Sequence, residues 1–274
     1  MKYHQIAPGV DIPKIGLGTW GMGGKQIEDR RWDEEHVMAI KMAIDLGLTH
    51  IDTAEYYGAG HCEELVGEAI QFYPRDSIFL TTKVWRTHLH YEDLIKSMKA
   101  SLRRLGQDYV DLFLVHWPNY RVPLEETMRG LEKCVKEGYT RYIGVSNYSA
   151  NLLHEAQSLL EDNYLVANQV EFSLLEQKPR TNLLPYIQET ERTLIAYSPL
   201  GRGILPSLDR EVLSSIAEKY DKTRAQVALN WVTSHENVVA VPKSSNPIHL
   251  MEFMDSLGWE MSLEDRVMLS SSFI

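Results

Sequence analysis

The sequence predicts an α/β fold: one domain over residues 1–274, built as a (β/α)8 barrel with a short N-terminal β-hairpin closing its bottom. Three observations predict it. Short apolar strands alternate with helical segments every ~30 residues, the period of a βαβ unit with a right-handed crossover, and eight such strands follow from Leu17 onward. The runs Phe113-Leu114-Val115 and Val238-Val239-Ala240-Val241 are apolar without alternation, as in parallel strands buried on both faces. An open doubly wound sheet, the competing architecture, carries a glycine fingerprint after its first strand, and none is present here.

Residues 2 to 18 read as a hairpin turning at Pro8-Gly9, whose return runs into the strand Gly16-Leu17-Gly18-Thr19-Trp20. Gly21-Met22-Gly23-Gly24 lacks the spacing of a P-loop or dinucleotide motif, so it is expected to be a flexible loop. From Asp33, the apolar positions Val37, Met38, Ile40, Ile44 and Leu46 predict a helix stopped by Gly47. Thr49 to Asp52 is the next strand, and Glu63 to Ile70 a short helix whose early acids suit its dipole. The unit then recurs. Strands are predicted at 77–83, 109–116, 141–146, 166–172, 193–198 and 238–242. Helices are predicted at Glu92 to Leu105 (stopped by Gly106), Leu124 to Lys136 (stopped by Gly138) and after Ser149, which is placed to cap. The last amphipathic segment is Ser262 to Leu269.

The hydrophobic share of 44% and charged share of 24% are those of an ordinary globular protein. The net charge of −10 argues against nucleic-acid binding, which needs a concentrated basic face. Two cysteines, Cys62 and Cys134, in no metal-like spacing, suit a reducing compartment. The start Met1-Lys2-Tyr3-His4-Gln5 has no apolar signal core, and no apolar run reaches the ~18 residues of a membrane span. A cytoplasmic protein with no membrane association is expected, as a monomer or weak homo-oligomer.

Nearly every strand delivers a polar residue at its C-terminal end: Thr19, Asp52, Lys83, His116, Ser146 with Asn147, Gln169, Tyr197 with Ser198, and Lys243. In a closed barrel these ends converge on one rim, where active sites of such barrels lie. Lys83 and Asp52 would form an ion pair. A lysine cation beside Tyr57 is expected to lower the phenol's pKa from ~10 toward working pH and fit it for acid–base work. His116 would orient a substrate oxygen. That set suits giving a proton to a carbonyl oxygen while another group supplies hydride. A metal site is not expected, because Lys83 would repel a cation and no further ligand is evident. A Schiff-base role for Lys83 would need an uncharged amine, whereas Asp52 favours the charged form.

Ile51-Asp52-Thr53-Ala54 with Tyr57-Gly58, Thr82-Lys83, His116-Trp117-Pro118, Gly144-Val145-Ser146-Asn147, Ala196-Tyr197-Ser198-Pro199-Leu200-Gly201 and Val241-Pro242-Lys243-Ser244 together resemble the signatures of the aldo-keto reductase family. They stand in that family's order and span almost the whole chain. The resemblance implies NAD(P)H-dependent reduction of aldehydes or ketones, sugar-type carbonyls included, with the cofactor extended across the rim. It implies that Tyr57 donates the proton, that Lys83 and Asp52 tune it, and that His116 positions the carbonyl. Trp85 and Trp117 would join Tyr57 and His116 against the substrate. Ser146, Asn147 and Gln169 would hold the nicotinamide carboxamide, and Tyr197 would stack on its ring. Ser198, Pro199, Leu200 and Gly201 would lie along the pyrophosphate, with Thr19, Trp20 and Asp52 completing the cofactor bed. Lys243, Ser244 and Ser245 would meet a 2′-phosphate, and His249 and Glu252 the adenine end. NADP(H) is therefore expected ahead of NAD(H).

Two departures stand out. His249 occupies the position where such families place an arginine, and a mostly neutral imidazole lacks its fixed charge and planar fork; Phe253 stands where asparagine is common. The segment after Leu269 is short, which predicts an open pocket walled by Trp20, Trp85 and Trp117. The alternative function is a cofactor-binding, redox-sensing subunit with little turnover. The intact Asp52, Tyr57, Lys83 and His116 set speaks against it.

Overall fold

The computed structural model describes residues 2–273. It begins with an antiparallel hairpin, β1 (Tyr3–Ala7) and β2 (Val10–Pro13), turned at Gly9. Eight parallel strands follow in one sheet: β3 (Leu17–Gly18), β4 (His50–Asp52), β5 (Phe79–Val84), β6 (Val110–Val115), β7 (Thr140–Ser146), β8 (Leu165–Glu171), β9 (Thr193–Tyr197) and β10 (Val238–Val241). Their spatial order is their chain order. The two ends of the sheet meet, because the Gly16 and Gly18 amides donate to the carbonyls of Ala240 and Pro242, each at 2.9 Å. The barrel is thereby closed.

Helices α1 (Asp33–Asp45), α2 (His61–Ile70), α3 (Tyr91–Leu105), α4 (Leu124–Lys136), α5 (Ala150–Ser158) and α6 (Leu183–Glu189) pack outside, one after each strand from β3 to β8. As expected of strands separated mostly by one helix each, the exception comes late: two helices, α7 (Glu211–Lys219) and α8 (Arg224–Thr233), link β9 to β10. Two more, α9 (Pro247–Asp255) and α10 (Leu263–Ser272), follow β10. The predicted stops and caps hold. Gly47 ends α1 at φ 94°, with Leu48 N–H donating to the Ala43 carbonyl and Gly47 N–H to that of Ile44, a Schellman pair. The Ser149 hydroxyl accepts from the Leu152 amide at the start of α5.

Both faces of the strands are covered, which explains their lack of alternation. On β5, Lys83 and Thr81 turn inward, while Thr82 turns outward to the buried Glu63 of α2. The hairpin plugs the bottom. Ile6, Ala7 and Ile12 pack on Phe79, Leu112, Val166 and Ile195 from the strands, and His4 bonds Thr193 at the start of β9 (2.8 Å). Cys62 and Cys134 are free and buried.

The glycine-rich stretch 21–24 is not the loose loop expected. Gly23 carbonyl accepts from Asp29 N–H at 2.8 Å, and Gly23 N–H donates to His36 Nδ1 at 3.2 Å. A Cβ on Gly24 would lie 2.0 Å from the Ile27 carbonyl oxygen. Gly24 is present because backbone passes too close for a side chain, and Gly23 because His61 and Leu65 crowd it; the absence of a phosphate motif could not reveal this.

Candidate active site

The strand ends do bring Asp52, Lys83, His116, Ser146, Asn147, Gln169 and Tyr197 to one rim, and the turn after β4 returns Tyr57 to it. That turn depends on Gly58, which has φ 57° and whose Cβ, if present, would lie 2.4 Å from the Gly23 carbonyl oxygen. Gly58→Ala is therefore expected to destabilise the fold by about 2 kcal/mol in denaturant unfolding. A loss of less than about 0.5 kcal/mol, typical of a neutral surface change, would show that the turn tolerates a side chain.

Lys83 is fully buried at the centre of the site. Its Nζ donates to Asp52 Oδ2 at 2.7 Å, to the Thr53 carbonyl at 2.8 Å and to the Tyr57 hydroxyl oxygen at 3.2 Å. Three bonds use the three protons of an ammonium group. Burial draws the Lys83 pKa below the ordinary lysine value and Asp52 draws it back up. With all three protons engaged, the pair stands as an ion pair and leaves no lone pair for a Schiff base. The other Asp52 oxygen accepts from Gln169 Nε2 at 2.7 Å.

An ammonium only donates, so its bond to Tyr57 occupies the phenol oxygen and leaves the hydroxyl hydrogen free. The expected lowering of the Tyr57 pKa is not what the structure shows. Burial pushes it well above the ordinary tyrosine value, and Asp52 adds to the rise. Lys83 spends its charge on Asp52, so the phenol faces a nearly neutral pair inside a dry site, and burial wins. Tyr57 is a phenol, poised as an acid.

His116 lies with its ring centroid 5.6 Å from that of Tyr57. Burial, with Lys83 nearby, holds its pKa well below the ordinary imidazole value, and its Nδ1 is buried without a hydrogen-bond partner among the described residues. A neutral ring suits donation to a carbonyl oxygen better than it suits charge stabilisation. Thr19 Oγ1 donates to the Asp52 carbonyl at 2.9 Å.

Of the predicted aromatic wall, Trp20 and Trp85 stand on either side of Tyr56, which the sequence reading passed over. Tyr56 and Trp85 are stacked at 3.7 Å and 9°, and Trp20 lies 6.3 Å beyond at 5°. Trp117 is 40% exposed and stands outside this stack. Glu55, also unforeseen, fixes the wall from behind by accepting from the Trp85 amide and from Ser97 Oγ. The only sequence signal for either was position, next to Tyr57 on the strand exit.

The cofactor-side residues gather as expected, with some already bonded to one another. Ser146 Oγ donates to the Gln169 carbonyl at 2.8 Å, and Asn147 Nδ2 donates to the His116 carbonyl at 3.0 Å. Tyr197 hydroxyl donates to Asn147 Oδ1 at 3.0 Å. Gln169 Nε2 is committed to Asp52, so any hold by Gln169 on a carboxamide falls to its oxygen. Asn147 (φ 63°) and Ser198 (φ 50°) sit in the left-handed region, a backbone strain of the kind that collects at ligand sites. Leu200 and Gly201 continue the turn to Arg202, whose guanidinium makes a two-pronged pair with Glu171 at 3.1 and 2.8 Å. Further round the rim, Lys243 and His249 are exposed. Ser244 Oγ meets His249 Nδ1 at 3.2 Å, and Asn246 caps α9 through the Ile248 amide. Ser245 and Glu252 are half-buried beside them, while Phe253 is 2% exposed and belongs to the core.

The residues fit an extended dinucleotide. One end offers a cation, hydroxyls and a capped helix start, which suits a phosphate, and the other offers a flat tyrosine beside amide and hydroxyl groups, which suits a carboxamide-bearing ring. Among the described residues no cluster of metal-ligating side chains occurs.

Comparison with known proteins agrees. The model of the aldo/keto reductase family matches residues 14–269. The chain is 37% identical to methylglyoxal reductase YeaE of Escherichia coli over 275 residues, covering 99% of this chain and 95% of that protein. It is 39% identical to glyoxal reductase of Bacillus subtilis, covering 97% and 89%. Among solved structures, the thermostable aldo-keto reductase Tm1743, in complex with the inhibitor epalrestat, superposes with a TM-score of 0.94 at 43% identity and 99% coverage of both chains. An aldo/keto reductase from Klebsiella pneumoniae in complex with NADP and acetate gives 0.89 at 34% identity, covering 97% and 93%. The chain belongs to the aldo/keto reductase family and is an NAD(P)H-dependent oxidoreductase of carbonyl compounds.

Proposed function

We propose that this protein reduces small aldehydes, α-oxoaldehydes such as glyoxal and methylglyoxal among them, with NADPH, and that Tyr57 is the proton donor. The observation that carries the reading is the Tyr57 hydroxyl. Its oxygen is held by Lys83 at 3.2 Å, which leaves its hydrogen free at the rim. The names of the relatives from Escherichia coli and Bacillus subtilis favour α-oxoaldehydes. The Tyr56–Trp85 stack beside His116 offers the substrate a flat aromatic wall.

A nicotinamide cofactor held by these residues would supply hydride to the carbonyl carbon. His116, kept neutral by burial, donates an N–H to the carbonyl oxygen and directs it toward Tyr57. As the oxygen gains charge, Tyr57 gives it the free hydroxyl proton, and Lys83 stabilises the phenolate left behind. Asp52 keeps Lys83 charged, and Gln169 keeps Asp52 in place. Ser146, Asn147 and Gln169 orient the carboxamide, and the flat face of Tyr197 supports the ring. Ser198, Pro199, Leu200 and Gly201, with Thr19 and Trp20, bed the rest of the cofactor, and Lys243, Ser244 and Ser245 receive the 2′-phosphate.

Residues 1–274 would work as one unit, a monomer or weak homo-oligomer, in the cytoplasm and without nucleic-acid or membrane partners. Among the described residues no helix is long and apolar enough to cross a membrane. Titrating both cofactors side by side tests the preference. NADPH is expected to bind about tenfold or more tightly than NADH, a difference of ~1.4 kcal/mol. His249→Arg is expected to tighten NADPH alone by about fivefold, the ~1 kcal/mol of an exposed charge pair. Equal affinities for the two cofactors, or tightening of both by the variant, would contradict the assignment of this end of the rim.

A further inference from the structure

At the end of the barrel opposite Tyr57 lies a cavity of about 240 Å³. Lys14, just before β3, and Thr233, at the end of α8 before β10, place it at the N-terminal ends of the strands. Lys2, Lys14 and Arg266 all line it, and Glu260 is the one carboxylate that does. A surplus of positive charge in one hollow is unusual for a chain of net charge −10.

Part of this charge has an ordinary structural role. Lys2 Nζ pairs with Glu260 at 3.0 Å on the surface, and Lys14 Nζ donates to the Thr233 carbonyl at 2.9 Å, satisfying the end of α8. The rest does not. Arg266 Nε and the indole Nε1 of Trp259, both from residues of the cavity wall, are buried and have no hydrogen-bond partner among the described residues. A donor removed from water with nothing to receive its hydrogen is a costly arrangement, and it leaves Arg266 Nε without the acceptor that Lys2 and Lys14 each have. Asn230 cannot supply one by its amide nitrogen, which donates to the Ser256 and Trp259 carbonyls at 2.9 and 3.0 Å and so fixes the turn that carries the indole. Lys14 is also held below the ordinary lysine pKa by burial and by nearby Lys2, a crowding of like charges that a bound anion would relieve.

A cavity lined by two lysines and an arginine against one carboxylate suits a ligand with several anionic acceptor oxygens, and it suits neither a cation nor a purely apolar group. We propose that this cavity binds a phosphate group, as free phosphate or as a small phosphate monoester, at a site separate from the Tyr57 rim. Leu257 and Met261 in the same wall offer apolar surface to the organic part of an ester.

Calorimetric titration of the full chain with inorganic phosphate and with ethyl phosphate, at constant ionic strength, tests this. The expected result is saturable binding that Arg266→Gln weakens by about tenfold or more, while carbonyl reduction by that variant stays at the wild-type rate. Lys243→Gln, at the rim, is expected to leave this binding unchanged. Lys2→Gln changes an exposed side chain, so it serves as a second variant should Arg266→Gln fail to fold, and it is expected to weaken binding as well. Tighter binding of ethyl phosphate identifies a monoester as the occupant, and equal or weaker binding identifies free phosphate. Absence of saturable binding at millimolar concentrations would overturn the proposal. So would binding that survives Arg266→Gln and Lys2→Gln, or binding that disappears in Lys243→Gln and so belongs to the rim.

Discussion

Replacing Tyr57 by phenylalanine is expected to lower kcat for carbonyl reduction by about two to four orders of magnitude, the usual weight of a positioned proton donor. NADPH affinity should change little, because the hydroxyl is held by Lys83 and not by any residue of the cofactor bed. The pH dependence separates this role from a structural one. Reduction uses the protonated phenol, and burial holds the Tyr57 pKa well above its ordinary value of ~10. The phenol of the unliganded protein therefore stays protonated through neutral and mildly alkaline pH, and the reductive rate should show no loss from Tyr57 in that range. The variant should be slow at every pH. A variant with kcat close to wild type would mean that another group supplies the proton.

Lys83→Met is expected to abolish measurable turnover and also to destabilise the fold by about 3–5 kcal/mol, the penalty for leaving one half of a buried ion pair alone. Asp52 is 3% exposed, and without Lys83 its carboxylate would keep only Gln169 as a side-chain partner. The double variant Lys83→Met with Asp52→Asn removes the stranded charge. It should recover much of the stability in denaturant unfolding while recovering no activity. If Lys83→Met were as stable as wild type, the pair would not be the buried ion pair described here. If the double variant regained turnover, Lys83 would have no part in the chemistry.

The barrel was legible because its signals are periodic: strand–helix units, glycine stops such as Gly47, Gly106 and Gly138, and a polar residue at the end of strand after strand. The site followed from the same geometry, since a closed parallel barrel gathers those ends. Asp52, Lys83 and Tyr57 meet although Lys83 lies 31 residues beyond Asp52. What the sequence hid depended on depth and direction. The lysine next to Tyr57 suggested a lowered pKa, but the outcome turns on how dry the site is and on Asp52 already holding that charge. Tyr56 and Glu55 carry no motif, and only the fold shows one stacked on Trp85 and the other bonded behind it. Arg202 and Glu171 look like ordinary surface charges until the turn through Ser198 brings them together. Gly23 and Gly24 seemed free because close packing leaves no pattern of its own.

The most direct measurement is consumption of NADPH by the purified protein with methylglyoxal as the sole carbonyl, followed through the absorbance of the reduced nicotinamide. The prediction is saturable, stoichiometric conversion to the hydroxyl product, lost in Tyr57→Phe. If NADPH bound tightly yet was not consumed with methylglyoxal, glyoxal or a broad panel of aldehydes and ketones, the chain would be a cofactor-holding subunit and not the reductase proposed.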